Sequence, residues 1–154
     1  MNSMTLILNY VLTSLIAGVL GGTAMLAVMS LMTQAGLARG NMVVALGGIV
    51  TRSRDNAFRV GLMLHTLSAV GFAMVYAMLM LWLGATEMPK ALFIGVGAGF
   101  FHGLIVSLML VWVVAEGHPF EEYNDAGLAV GLSHLIGHVA YGMVVGLVVG
   151  ISPL

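Results

Sequence analysis

The chain has 154 residues, 60% of them hydrophobic and only 7% charged, with a mean hydropathy of +1.09. Soluble domains carry roughly 25% charged residues, so a surface facing water all round is excluded. At about 20 apolar residues per crossing the length admits four or five spans and little else. Five basic residues against six acidic ones leave no basic stripe for nucleic acid. The absence of cysteine excludes disulfides, thiolate metal sites and iron–sulfur clusters.

The first apolar run covers about 6–33. A secretory signal would open with basic residues before a short apolar core, but the first basic residue here is Arg39. The run reads as a retained helix. It carries Gly18-x-x-x-Gly22 and a methionine stripe of Met25, Met29 and Met32. The connection after it holds Arg39, Arg52, Arg54, Asp55 and Arg59 around "NMVVALGGIV", which is apolar but too short to cross. That stretch predicts a short interfacial or re-entrant segment between the first two spans; a cap over the end of the bundle is the alternative.

The second run, about 58–83, contains His65, Met74 and Met78 and ends at the short turn "GATEMPK". The third, about 91–115, carries Gly95-x-x-x-Gly99-x-x-x-Gly103 and His102. After the acidic connection "EGHPFEEYND", the fourth run, about 126–151, holds His134, His138, Gly142, Gly146 and Gly150. The expected fold is therefore all-α: a polytopic membrane protein, one four-transmembrane-helix bundle. Four of the five basic residues lie in the first connection. The preference of such residues for the cytoplasmic side predicts both termini outside, with Trp82 and Trp112 near opposite interfaces.

Helices in lipid gain little hydrophobic drive from one another and pack through small residues. Gly18, Gly22, Gly95, Gly99, Gly142 and Gly146 are the expected packing positions, with the third and fourth spans in close contact. Methionine sulfur suits Cu(I), but no methionine cluster lies in a loop where copper could be collected, so packing is the preferred reading of the methionine stripes.

The histidines are the main anomaly. His118 sits in the acidic connection, whereas His65, His102, His134 and His138 fall inside spans, where ionisable residues are functional candidates by default. From the helical rise, His65 and His134 lie roughly 10–12 Å from the cytoplasmic ends, and His102 and His138 roughly 18–20 Å. Three readings compete. The imidazoles could hydrogen-bond across helices to Ser68, Ser107, Ser133, Thr66 or Tyr141, each bond worth around 1 kcal/mol. They could ligate: His134 and His138, one turn apart, could hold a divalent ion in cis, while a haem would need one ligand from another helix, such as His102 with His138. They could also relay protons. Catalytic signatures are missing, because "HLIGH" lacks the glutamate of a zinc-protease motif and "GVGAGFFHG" lies inside a span instead of at a strand–helix turn.

"HTLSAVGFAMVYA", "GVGAGFFHGLIVS" and "GHVAYGMVVGLV" resemble, in order, three helices of the YagU-like inner-membrane proteins and related small bacterial families. The resemblance runs over the later part of the chain, from His65 onward. It implies a four-helix protein of a bacterial inner membrane, loosely linked to acid tolerance.

The leading functional expectation is a non-enzymatic accessory subunit of a larger membrane complex, or a homo-oligomer, in contact with the lipid bilayer. It needs no cofactor and binds no nucleic acid. The alternative is an electron-transfer or metal-handling protein in which His65, His102, His134 and His138 bind haem, or a divalent or copper ion. Proton or small-solute permeation is a third.

Overall fold

The structure, a computed structural model, describes residues 2–37, 41–124 and 127–154. Arg39, one of the arginines used for orientation, and Ala126, the first residue of the fourth apolar run, lie outside these. The four apolar runs are helices: α1 (Ser3–Gln34), α3 (Ala57–Trp82), α4 (Lys90–Met109) and α5 (Leu128–Gly150). All four are long and apolar enough to cross a membrane. The protein is an all-α bundle of multi-pass membrane type.

Between α1 and α3 the short apolar stretch forms a further helix, α2 (Met42–Thr51). Asn41 starts it by accepting hydrogen bonds from the Val43 and Val44 amides, as an N-cap should. It packs directly on the start of α3. A Cβ at Gly47 would fall on the Ala57 carbonyl, and one at Gly61 on the Val43 carbonyl. Backbone is thus pressed against backbone, and α2 closes one end of the bundle. At the far end of the third span, α4 runs on through a π-helical turn, Leu110–Val114, and a 3-10 turn, Ala115–Gly117.

The bundle turns its large side chains outward. Leu67, Val75, Phe93, Phe101 and Ile105 are exposed, while the interior combines Ala17, Ala69, Ala73, Ala77, Ala91, Ser14 and several glycines with a few larger side chains such as Met80, Tyr141 and Val145. In water so large an apolar surface would drive association; in lipid it is the solvated face, and small residues allow helices to approach.

The most extensive contact joins α4 to α5. A Cβ at Gly95 would fall on the Gly142 carbonyl, and one at Gly99 on the His138 carbonyl. Gly146 meets the backbone of Ala91 and Leu92, and Gly103 meets the Cβ of His138. The Ser107 hydroxyl closes the seam by donating to the Gly131 carbonyl at 2.7 Å. On the other side of the molecule, a Cβ at Gly18 would come within 2.5 Å of the Val70 Cα, and one at Gly22 within 3.0 Å of the Ala69 Cβ, so α1 lies against α3. Tyr141 of α5 fits over Gly21 and donates to the Ala69 carbonyl at 2.6 Å. The helices therefore form a curled row in the order α3, α1, α5, α4, and its two outer members, α3 and α4, touch at few positions.

Gly97, on the opposite face of α4, has nothing within 4 Å of a built Cβ. Gly99→Ala is expected to lower unfolding free energy by about 1–3 kcal/mol through overpacking. Gly97→Ala, with the same gain in helix propensity, should not destabilise. Equilibrium unfolding in mixed detergent micelles measures both.

Candidate functional site

The gap between α3 and α4 is a cavity of ≈ 320 Å³. α1 and α5 form its floor, with Met25 and Met29 from the former and His134, His138 and Tyr141 from the latter. α3 contributes His65, Ser68 and Phe72, and α4 contributes His102 and Val106. Ala45 and Ile49 of α2, with His118 and Tyr123 of the last connection, cover one end. Ser68, Phe72 and Ile49 are exposed, so the cavity opens to the outside between α2, α3 and α4.

All five histidines of the chain line this space, and their hydrogen bonds determine which ring nitrogen holds the proton. A carbonyl oxygen only accepts, so a nitrogen bonded to one must be N–H. His134 donates through Nδ1 to the Val130 carbonyl at 2.9 Å, and His138 through Nδ1 to the His134 carbonyl at 2.8 Å. In both, the lone pair is left on Nε2, the nitrogen farther from the helix backbone. His65 is reversed: Nε2 donates to the Gly22 carbonyl of α1 at 3.2 Å, and Nδ1 keeps the lone pair. His102 has the buried Tyr76 hydroxyl 3.1 Å from Nδ1. Its ring lies 4.0 Å from that of Phe72 and 4.7 Å from that of His138, centre to centre.

His118 does a different job. Its Nδ1 lies 3.0 Å from the Phe120 amide and 3.3 Å from the Phe120 carbonyl, and its Nε2–H donates to the Ala45 carbonyl of α2 at 3.0 Å. It fastens the last connection to α2. Nearby, the Tyr123 hydroxyl accepts from the Asn41 amide and donates to the Asn41 carbonyl, both at 3.3 Å. The Phe120 ring covers Gly48 and lies 4.6 Å under the Arg54 guanidinium. Arg54 pairs with both carboxylate oxygens of Glu122 at 2.6 Å. That bond and charge hold the Glu122 carboxyl below the usual glutamate range.

Several expectations change in this geometry. The four intramembrane histidines use backbone carbonyls and Tyr76 as partners; among the described residues none of their hydrogen bonds goes to Ser68, Ser107, Ser133, Thr66 or Tyr141. The reason is local. Ser107, Ser133 and Tyr141 each spend their hydroxyl on a carbonyl, at Gly131, Ala129 and Ala69. His102 and His138 meet directly, whereas His65 reaches α1 and His134 its own helix. Among the described residues, no three His, Cys, Asp or Glu side chains are grouped to share one metal ion. For a haem between His102 and His138, metal–nitrogen bonds of about 2 Å would set the two ring centres roughly 6 Å apart, more than the 4.7 Å found. Tyr76 and the covering role of His118 escaped the reading of single spans as separate helices, whereas α2 takes the capping alternative given for its stretch. The only sequence signal for Tyr76 was its place in the motif beginning at His65.

Comparison with protein-family models, with curated proteins and with solved structures finds no match to the chain. The reading of the site rests on its geometry.

The Arg54–Glu122 pair contributes while Glu122 is ionised. Because its folded pKa is depressed, that contribution is complete above the ordinary glutamate range and is lost as pH falls through the folded value. The protection factors of the Phe120–Asn124 amides, exchange rates divided by the intrinsic rate at each pH, are expected to fall at acid pH, and Glu122→Gln should show the lower protection already at neutral pH. Both groups are exposed, so the effect on global stability should be small.

Proposed function

We propose that this multi-pass membrane protein binds an apolar small molecule, drawn from the bilayer, in its histidine-lined cavity. The observation that carries the reading is the gathering of all five histidines onto one open cavity with otherwise mainly apolar walls. Ligand pockets run from about 300 to 1,000 Å³ and combine apolar walls with a few placed polar groups. The accessory-subunit reading draws on spare glycine faces. Gly18, Gly22, Gly95, Gly99, Gly142 and Gly146 all meet neighbours within the chain, which shifts the weight to the cavity. The protein would sit in a bacterial inner membrane with α2 and the arginines on the cytoplasmic side and both termini outside.

A second reading, haem or metal binding, is favoured by one observation. His134 and His138 donate Nδ1–H to carbonyls and keep Nε2 lone pairs, the tautomer a ligating histidine adopts.

Ser68 lies exposed on the rim, so Ser68→Trp should obstruct the cavity without disturbing the packed seams. Protein purified in mild detergent is expected to retain, or to bind saturably, an apolar small molecule detected by extraction and mass spectrometry. Ser68→Trp should reduce that binding at least about tenfold, equivalent to roughly 1.4 kcal/mol. Equal binding by both proteins, or none by either, would overturn the proposal. An absorption band of haem or a stoichiometric metal, lost in His138→Ala, would establish the second reading in its place.

A further inference from the structure

The chemistry of the cavity wall restricts what it can hold. Among the described residues lining it, none belongs to Asp, Glu, Lys or Arg. An ionic ligand would enter an apolar space without a counter-charge, which is strongly unfavourable. The ligand should therefore be neutral.

The polar groups then set its hydrogen-bonding character. His138 presents a lone pair at Nε2, because its proton is committed at Nδ1 to the His134 carbonyl. His102 is complementary. The buried Tyr76 hydroxyl has the His102 Nδ1 as its hydrogen-bond partner. A buried phenol is satisfied when it donates, which leaves the His102 proton on Nε2. The two rings stand edge to face, 4.7 Å between centres, and both line the cavity, so an acceptor and a donor belong to adjacent rings of one wall. A hydroxyl group answers both at once, by donating to one and accepting from the other. A ketone or ether oxygen only accepts, and would leave the His138 lone pair unpaired. Phe72, stacked on His102 at 4.0 Å, adds a flat apolar wall suited to a ring. The opening past Ser68 and Phe72 allows an attached chain to remain in lipid.

We infer that the cavity takes a neutral, ring-bearing hydroxyl lipid of the phenol or quinol class, its hydroxyl donating to His138 Nε2 and accepting from His102 Nε2–H. The inference rests on the ligand-binding reading above and adds the ligand's chemistry to it.

The test uses the full chain in lipid nanodiscs, without oxygen, titrated with a short-chain para-benzoquinol and with its dimethyl ether, which keeps the ring and both oxygens, gains two methyl groups and loses the donors. The quinol is expected to bind at least about tenfold tighter, the cost of one unpaired buried acceptor. It should also shift the imidazole nitrogen resonances of His138 and His102. His138→Phe keeps a flat ring without the acceptor, and should bring the quinol down to the affinity of the ether while leaving the ether unchanged. Equal affinity of quinol and ether for the wild-type protein overturns the inference and leaves the ligand cavity standing. So does a nitrogen spectrum that puts the His138 proton on Nε2. If neither probe binds, or Ser68→Trp binds both as the wild type does, the ligand-binding reading fails as well. Should His138→Phe not fold, the wild-type comparison and the nitrogen spectrum decide the matter without it.

Discussion

Backbone contact between α4 and α5 is the constraint on which the rest of the molecule depends. Lipid offers helices no hydrophobic reason to associate, so the contact must come from close van der Waals approach. Glycines at Gly95, Gly99, Gly103, Gly142 and Gly146 make that approach possible by removing every Cβ that would block it. Once α5 has given this face to α4, a different face remains for α1, where Gly137 meets Met25 and Met29, and Tyr141 covers Gly21. α1 in turn holds α3 through Gly18 and Gly22. The row of helices curls until its ends approach near Phe72, Tyr76 and His102. It does not close, and the space left between α3 and α4 is the cavity.

The same packing explains why histidines can be buried in a span at little cost. Each of the four has one nitrogen bonded to a carbonyl or to Tyr76, so no ring is wholly unsatisfied, and the remaining nitrogen is available to the cavity. The back-bonds of His134 and His138 to carbonyls one turn earlier also determine their tautomers. Two identical residues four positions apart thus present the same unprotonated atom. His65 and His102, held by other partners, present different ones. The four imidazoles are in this way of three kinds, His134 and His138 being alike.

The covered end of the cavity is built on other physics. There α2 and the last connection meet through His118, Tyr123 and the exposed Arg54–Glu122 pair. Such interactions are weak in water and respond to pH and salt. The glycine seams have no charge to titrate. The covered end is therefore held in part by an exposed ion pair, and the floor by close-packed backbone.

The four apolar helices were legible in the sequence, because hydropathy is a local property of each run. The helical rise put His102 and His138 at one depth, and the glycines beside them, which set the register of α4 on α5, bring the two rings together. The partners of the histidines were not legible, because Gly22, Val130 and His134 contribute backbone oxygens, which no side-chain pattern encodes. For α2 the sequence left an interfacial segment and a cap as alternatives, and its ten residues form a cap because Gly47 and Gly61 press it against α3. The sequence by itself determined that this protein is a bundle of spans with imidazoles at its centre. Only the tertiary structure decided that α3 and α4 stay apart, since the order of helices around a bundle depends on which faces are already spent, and that order is what turns scattered histidines into the wall of one cavity.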